Sequence, residues 1–172
     1  MVVWLDAFWA NAGLVRGEEY EACRRAGACT GMPELLQPRE FEAWEHDLSR
    51  LARVAFSDAF AYCRWRGWRL PTADEFERMG RWTDGRSFVW GNRSCARCDR
   101  RTSPERIREL NGVAQWVAAP GGEGATMGLV DSVSLDAAWP GTMAAFRCVR
   151  SLQPGPNPGQ GIVLRDAGGP DE

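Results

Sequence analysis

The apolar and polar positions at the start of the chain predict a strand followed by a helix. Residues 2–8 alternate loosely and are rich in Val, Trp and Phe, which is typical of a strand. Residues 17–26 predict a helix with two glutamates in its first turn, two arginines in its last turn and Gly27 as its stop.

The segment RVAFSDAFAYCRWRG, in the middle of the chain, predicts a second helix. Ser57 is a residue type that caps helix starts, and Gly67 is suited to end the helix. Ala59, Phe60 and Cys63 fall on one face, which we expect to be buried.

The next segment, LPTADEFERMGRW, predicts a third helix with a defined start. Thr72 and Glu75 have the spacing of a capping box, in which each side chain accepts a hydrogen bond from the backbone of the other residue. Phe76 and Met79 lie on the same face and are expected to form the buried stripe.

Short strand-like segments replace the helical pattern after residue 83. SFVWGN predicts a short strand with a turn, and GVAQWVA, GLVDSVSL and AAFRCVR each predict a strand. SPERIREL predicts one or two helical turns capped by Ser103. Because helices come early and strands late, without β-α-β alternation, the order predicts an α+β domain.

Composition and charge narrow the classes of function. A chain of 172 residues with a net charge of -2 is expected to form one domain, and it lacks the basic block that nucleic-acid binding requires. No apolar run approaches the roughly 20 residues that cross a bilayer, so no membrane span is predicted. All 21 basic residues are Arg, which is typical of a GC-rich bacterial genome.

The two central helices carry a family signature. The stretch VAFSDAFAYCRWRGWRLPTADEFERMGRWTDGRSFVWGN resembles the formylglycine-generating enzyme, or sulfatase-modifying factor, family. Its members show a segment like V-S-W-x-D-A-x-A-Y-C-x-W-x-G-x-R-L-P-T-E-A-E-W-E, followed by P-W-G-N. The matching residues are Asp58, Ala59, Ala61, Tyr62, Cys63, Trp65, Gly67, Arg69, Leu70, Pro71, Thr72, Glu75, Glu77, Trp90, Gly91 and Asn92.

Weaker similarities extend the resemblance over residues 1–150. ELNGVAQWV is similar to the family segment A-G-N-V-x-E-W, and FRCVR is similar to the closing G-F-R-C. The resemblance implies the family's variant of the C-type lectin-like fold, with two main helices packed on short antiparallel strands. Residues 151–172, rich in Pro and Gly, are predicted to be a disordered tail.

The resemblance implies copper chemistry whose ligands are missing from their usual place. Family enzymes use copper(I) and O₂ to oxidise a Cys of a C-x-P-x-R sulfatase motif to formylglycine, and a Cys pair shortly before the closing G-F-R-C binds the soft metal. The corresponding span, Met127 to Ala145, contains no Cys. Cys95 and Cys98 are the alternative thiol pair. Zinc binding is not expected there, because zinc needs four ligands and the chain has a single His. Our interpretation is that these two cysteines form a local disulfide in a loop or are free thiols.

Four other cysteines are expected to be structural. Cys63 and Cys148 match positions that are disulfide-bonded in family enzymes, and Cys23 and Cys29 flank the end of a predicted helix, where a local bridge would fit. Disulfides favour an extracytoplasmic compartment, whereas the first residues have no basic leader, so the compartment stays open.

A calcium site implied by the resemblance is expected to be degraded. Family members bind Ca²⁺ around A-G-N-V-x-E-W with an upstream Asp or Asn, backbone carbonyls and the Glu. Here Arg108 stands at the upstream position and Gln115 at the Glu position, which leaves the carbonyls of Asn111 and Val113. Because Ca²⁺ prefers anionic oxygen ligands, we expect no calcium and no other cofactor.

The segment LDAAWPGTM falls where the family shapes its substrate groove. Trp139, with Asp136 nearby, would form a ligand surface if exposed; buried, Trp139 would fill a shortened core, which is the interpretation we favour. Phosphate-binding loops, H-E-x-x-H and G-x-S-x-G are absent from the sequence.

Three functional hypotheses follow from the resemblance. The leading one is a non-catalytic family domain that binds an unknown protein or small ligand. The alternative is a divergent copper-dependent oxidase of the C-x-P-x-R motif with relocated thiols. The third is a degenerate fragment without a retained role.

Overall fold

A computed structural model describes residues 5–34, 50–83, 85–92, 103, 105–108, 110, 113–119, 124–130, 132–137, 141–152 and 163–164. Within these residues the chain is α+β, as predicted, and a helix lies in each of the three segments predicted to be helical. The helices are α1 (Gly17–Arg25), α2 (Phe56–Trp65) and α3 (Ala73–Arg81). The strands are β1 (Phe8–Ala10), β2 (Gln115–Ala118), β3 (Gly124–Val130), β4 (Ser132–Ala137), β5 (Val149–Ser151) and β6 (Val163–Leu164).

Among the described strands, two small sheets form. In the first, β1 lies between β5, which is antiparallel to it, and β6, which is parallel. The second is the antiparallel sheet β2-β3-β4. The first sheet brings both ends of the described chain together, and it includes Val163–Leu164 from the segment predicted to be disordered; the rest of residues 153–172 lies outside the described residues.

Helix starts agree with the predictions where the signal is local. Thr72 caps α3, its Oγ1 accepting a hydrogen bond from the Glu75 amide at 3.3 Å, so the predicted capping box is confirmed. The N-cap of α2 is Ala55 without a side-chain bond, so the prediction for Ser57 is wrong by two positions. The Phe56 ring instead packs edge-on against Trp116 at 5.6 Å between centroids, and this long-range contact fixes the start of α2.

Two burial predictions within α2 are also corrected. Phe60 is 42% exposed, although the helical pattern placed it on the buried face with Ala59 and Cys63. The resemblance also matches Trp65 to a core position of the family, which predicts burial, but the residue is 39% exposed and lies beside Tyr62 at 5.8 Å between ring centroids. The buried residues of α2 are Ala59, Tyr62 and Cys63, which share one face of the helix, and Phe60 and Trp65 lie at the two edges of that face.

The predicted strands differ from the observed ones mainly in where they begin and end, because pairing with a neighbouring strand sets those positions. Of the strand predicted over residues 2–8, residues 2–4 lie outside the described residues, and within residues 5–8 the strand β1 begins at Phe8, where β5 pairs with it. GLVDSVSL, predicted as one strand, contributes to two: β3 and β4 pair from Val130↔Ser132 outwards as a hairpin. SFVWGN forms a tight turn in which the backbone of Phe88 bonds that of Gly91 in both directions.

SPERIREL does not continue as a helix in its described residues. Ser103 donates its amide to the Ile107 carbonyl at 2.9 Å, and Arg106 has φ of 66°, a left-handed conformation that interrupts a right-handed helix. Ser103 Oγ accepts a hydrogen bond from the Ile107 amide at 3.2 Å. The predicted cap residue therefore closes a turn.

Two large groups of buried side chains form the core of the described structure. One joins α1 and α2 to the closing segment through Tyr20, Tyr62, Trp116 and Phe146. The other packs α3 on β1, β2 and β3; its members include Phe8, Ile107, Leu110, Val117 and the predicted stripe, Phe76 and Met79, both fully buried. Among the described residues, no helix combines the length and apolar character that crossing a membrane demands.

Candidate functional site

A bidentate ion pair fastens the start of α3 to the first sheet. Arg69 donates to both carboxylate oxygens of Glu75, at 2.7 and 2.6 Å, while Glu75 also accepts the Thr72 amide at 2.9 Å. The Arg69 backbone exchanges two hydrogen bonds with Val149 of β5, and its guanidinium reaches Ser151 Oγ at 2.9 Å. The hydrogen bond to Glu75 raises the pKa of Arg69, so this charge is permanent.

Both predicted disulfides are present. Cys63 of α2 is bonded to Cys148 with 5.6 Å between their Cα atoms, and Cys23 of α1 is bonded to Cys29 with 5.4 Å. A disulfide sulfur is not a thiolate and does not serve as a Cu(I) ligand. Within the described part of the chain, no cysteine is left as a free thiol.

A carboxylate holds the loop after the short disulfide. Asp58 Oδ1 accepts the Gly31 amide at 2.9 Å and the Thr30 amide at 3.3 Å, while the Tyr20 hydroxyl donates to the Gly31 carbonyl at 3.2 Å. Burial, followed by the negative charge of Asp58, raises the pKa of Tyr20 well above its ordinary value. These contacts shape a structural loop and leave Asp58 with backbone partners.

The span in which the family places its copper cysteines contains the β3–β4 hairpin. The backbone of Asp136 lies opposite Thr126 in the hairpin register. Trp139, the other residue of the predicted ligand surface, lies outside the described residues. This part of the chain is therefore described by its pairing alone.

The alternative thiol pair, Cys95 and Cys98, also lies outside the described residues, but the chain on either side of it is joined by a buried ion pair. Arg86 Nη2 lies 2.7 Å from Glu105 Oε1, and Arg86 Nη1 lies 3.1 Å from Oε2. The side chains are 5% and 16% exposed. Arg86 also donates to the Val89 carbonyl, so the base of this segment is fixed in the structure.

Two residues of the predicted degraded calcium site, Arg108 and Gln115, contact a buried guanidinium. Arg147 Nε donates to Gln115 Oε1 at 2.9 Å, and Arg147 Nη2 donates to the Arg108 carbonyl at 2.7 Å. Arg147 Nη1 lies 3.2 Å from the Asn11 carbonyl and 3.3 Å from the Ala12 carbonyl. We call Arg147 and these four acceptor residues the Arg147 cluster.

Sequence reasoning missed the central residue of this cluster. Arg147 is fully buried, and Gln115 is 1% exposed. The available signal was an arginine inside the apolar run AAFRCV, where a charged residue must find acceptors in the core. Arg108 is exposed and contributes its backbone carbonyl to the cluster.

Of the other two residues of the predicted calcium site, the structure describes one. Val113 is half-buried against the Leu14, Leu51 and Ala145 group, and Asn111 lies outside the described residues. Among the residues that the structure describes, no three His, Cys, Asp or Glu side chains come together in a way that could hold a metal ion. As arranged, the oxygens around Arg147 do not fit a divalent cation, because the guanidinium already occupies them.

The sequence of the chain can be compared with models of known protein families. Residues 2–124 match the model of the sulfatase-modifying factor enzyme 1-like domain. The chain belongs to this family. The match includes all three helices and β2, and it ends at Gly124, where β3 begins. The β3–β4 hairpin and the closing segment with Cys148 therefore follow the matched part.

Relatives in this family carry both inactive and active names. The chain is 48% identical over 44 residues to "Inactive C-alpha-formylglycine-generating enzyme 2" of Mus musculus, covering 25% of this chain and 14% of that protein. It is 35% identical over 60 residues to "Formylglycine-generating enzyme" of Mycobacterium tuberculosis, covering 28% of this chain and 20% of that enzyme. YfmG of Bacillus subtilis, an uncharacterized protein, is 28% identical over 101 residues, which are 53% of this chain and 21% of that protein. The matched segments thus span 14% to 21% of the length of these relatives.

Proposed function

We propose that this chain is a non-catalytic member of the sulfatase-modifying factor family that acts as a binding or interaction module. Its scaffold would be the family's variant of the C-type lectin-like fold. The observation that carries the proposal concerns the cysteines. Cys63 and Cys148 form a disulfide, and the chain from Met127 to Ala145 contains no cysteine.

The chemistry of copper explains why the sulfurs matter. Cu(I) is held by soft, deprotonated thiolates, and the substrate thiol must reach the same metal. In the span where the resemblance places that thiolate pair, this chain has the β3–β4 hairpin, whose pairing uses Ala, Thr, Met, Ser, Val, Leu and Asp positions. None of these residue types offers a thiolate.

The stabilising contacts of the domain are intact, which supports a retained binding role. The Thr72–Glu75 capping box, the Arg69–Glu75 ion pair and the Cys63–Cys148 disulfide are all formed. A scaffold whose stabilising contacts are intact can still present loops to a partner after its catalytic residues are lost. The similarity to a relative named as inactive is consistent with this proposal.

The competing function is a divergent oxidase that uses Cys95 and Cys98. The buried Arg86–Glu105 ion pair favours it in one respect, because it fixes the base of the segment that carries these cysteines. The similarity to a relative named formylglycine-generating enzyme points the same way.

One assay separates the two functions. The full chain is incubated with Cu(I), O₂ and a C-x-P-x-R peptide, and conversion of the peptide Cys to an aldehyde is followed by mass spectrometry beside an active formylglycine-generating enzyme. We expect no aldehyde. Aldehyde that disappears in the variant Cys95→Ser/Cys98→Ser would establish the oxidase instead.

Binding is measured on the same peptide with a fluorescent label and no copper. Saturable binding without conversion supports the module, and Trp139→Ala and Asp136→Ala test whether the predicted ligand surface carries it. A chain that neither binds nor converts this peptide would contradict sulfatase-motif recognition and leave the degenerate fragment as the favoured explanation.

A further inference from the structure

The outer side of α2 differs from that of the other two helices. In α1 and α3 every exposed residue is charged, and these residues are Glu18, Glu19, Arg25 and Asp74. The exposed residues of α2 include two aromatic rings, Phe60 and Trp65. A surface helix usually turns polar side chains to water, and exposed apolar side chains that share one surface mark an interaction site.

The two rings border the solvent-facing side of α2. At about 100° per residue, the arc between Phe60 and Trp65 contains the small residues Ser57 and Ala61, together with Arg64. The Cα atoms of the two aromatic residues are about 7.5 Å apart along the helix axis, at 1.5 Å per residue. Small side chains between two rings leave a shallow depression that can receive one apolar side chain.

The charges beside the two rings are positive. The Arg64 guanidinium lies over the Phe60 ring, 5.8 Å from its centroid, and Arg66 is the exposed C-cap of α2. We call Phe60, Arg64, Trp65 and Arg66 the α2 face. Within the described part of the chain, neither of its arginines forms an ion pair. The arginines that do form one there are Arg24, Arg53, Arg69, Arg81 and Arg86.

The acids around the α2 face are engaged with backbone amides. Asp58, the acidic residue of α2, accepts two amides of the loop after the short disulfide through Oδ1. Glu19 of α1, whose charge reaches Tyr62 as that of Arg66 does, accepts the Arg16 amide at 2.7 Å. The α2 face itself therefore carries two positive charges and no negative one.

The shared scaffold does not dictate most of this surface. In the family segment V-S-W-x-D-A-x-A-Y-C-x-W-x-G, Trp65 stands at a specified position, whereas Phe60, Arg64 and Arg66 stand at positions that the pattern leaves open. Fold requirements common to the family therefore do not explain why these three residues are aromatic or basic here.

We propose that the α2 face binds an acidic peptide segment of another protein. An apolar side chain of that segment enters between Phe60 and Trp65, and its carboxylates pair with Arg64 and Arg66. Aromatic and arginine side chains supply much of the binding energy at interfaces, and a guanidinium pairs with a carboxylate through two parallel hydrogen bonds. Two positive charges without a negative one favour an acidic partner over a basic one. The proposal rests on the binding role proposed above and narrows it to one surface and one class of partner.

The first test uses a random peptide library displayed on phage, with the full chain as the target. We expect the enriched peptides to be acidic and to contain a Phe, Trp or Leu. Each is then synthesised with a fluorescent label, and its Kd is measured by fluorescence anisotropy. The Kd should rise with added salt, because salt screens exposed charge pairs.

Variants of the α2 face test whether the peptides bind there. Phe60→Ser, and separately Arg64→Glu/Arg66→Glu, should each raise the Kd by about tenfold or more. Arg25→Glu is the matched control, because Arg25 is exposed in the last turn of α1 as Arg64 is in the last turn of α2, and it should leave the Kd unchanged. These substitutions change exposed residues, so the Tm should stay close to that of the unaltered protein. A peptide with Lys in place of its acids should bind Arg64→Glu/Arg66→Glu more tightly than it binds the unaltered protein.

Four results would overturn the proposal. The library yields no enriched peptide, or it yields neutral or basic ones. The Kd for Phe60→Ser and for Arg64→Glu/Arg66→Glu equals that for Arg25→Glu. Sedimentation shows a dimer of the unaltered protein that Phe60→Ser abolishes, which would assign the α2 face to a second copy of the chain. The proposed non-catalytic role fails by a separate result, namely aldehyde formation from the C-x-P-x-R peptide.

Discussion

Two regions of this molecule are held together in contrasting ways. In the helical segment, residues 55–82 with α2 and α3, the side-chain contacts at the start of α3 join near neighbours: Thr72 and Glu75 are three residues apart, and Arg69 and Glu75 are six. The Arg147 cluster is assembled from acceptors that lie 32, 39, 135 and 136 residues away along the chain. The start of α3 therefore depends on residues within two helical turns of each other, whereas the Arg147 cluster exists only once the domain has closed.

This difference has an energetic consequence. A local contact restricts few residues, so its loss should weaken one element by a small amount. A long-range contact restricts a large loop and supports several elements together, so its loss should be felt throughout the domain. The Cys63–Cys148 disulfide connects the two regions, since Cys63 lies in α2 and Cys148 follows Arg147.

The largest effect is expected from removing that connection. Cys63→Ala/Cys148→Ala opens a loop with a sequence separation of 85 residues, and the chain-entropy relation gives a loss of about 4.5 kcal/mol in the free energy of unfolding. Urea unfolding followed by tryptophan fluorescence measures it. For a domain of this size, such a loss removes a large share of the total stability.

The short disulfide is the matched control. Cys23→Ala/Cys29→Ala opens a separation of only 6 residues, for which the same relation gives about 2 kcal/mol. Equal losses for the two pairs would contradict the idea that long-range closure dominates. A loss that is larger for the short pair would reverse the comparison between the two regions.

The same contrast explains what could be predicted from the sequence. The ends of α1, the capping box of α3 and the buried pair Phe76 and Met79 follow from residues within a few positions of each other. The start of α2 did not, because the contact of Phe56 with Trp116 overrides the capping tendency of Ser57. Propensity is a weak guide where a distant residue supplies the deciding contact.

The candidate site was predicted to the same uneven extent. The pairing of Cys63 with Cys148 came from the family resemblance, which carries long-range information that periodicity lacks. The role of Arg147 was missed because its partners are mostly backbone carbonyls. Every residue has a carbonyl, so the sequence does not show which of them will accept a hydrogen bond. The pairing of β3 with β4 was likewise not predicted, since β3 ends and β4 begins within a run that looked like one strand.

A smaller effect is expected at the boundary between the regions on raising the pH. Tyr62 packs edge-on against Phe146 at 5.4 Å between ring centroids and stacks near Tyr20 at 6.1 Å. Burial, together with the charge of Glu19, raises the pKa of Tyr62 to about 12. Tyr20 and Tyr62 are the two tyrosines of the chain, so tyrosinate absorbance reports on this contact alone.

The sign of the pH dependence follows from these pKa shifts. The folded state keeps both tyrosines protonated above the ordinary pKa of about 10, while the unfolded state loses its protons there. The stability that this provides is complete below that pH and falls above it, by about 1.4 kcal/mol per pH unit for each tyrosine. Near pH 11 the native protein should show little tyrosinate, and Tyr62→Phe should remove one group from the titration. Full ionisation near pH 10 without unfolding would mean that the two regions are not packed at this boundary.

The smallest effect is expected within the helical segment, where a matched pair of positions isolates the local signal. Thr72→Ala removes the hydroxyl that accepts the Glu75 amide, and loss of an N-cap costs about 1 kcal/mol. Ser57→Ala changes an exposed residue that α2 does not use as its cap, so its free energy of unfolding should stay within about 0.5 kcal/mol of the unaltered protein. Urea unfolding of both variants gives the comparison. If Ser57→Ala proved as costly as Thr72→Ala, α2 would depend on a local cap after all, and the Phe56–Trp116 contact would no longer explain where that helix begins.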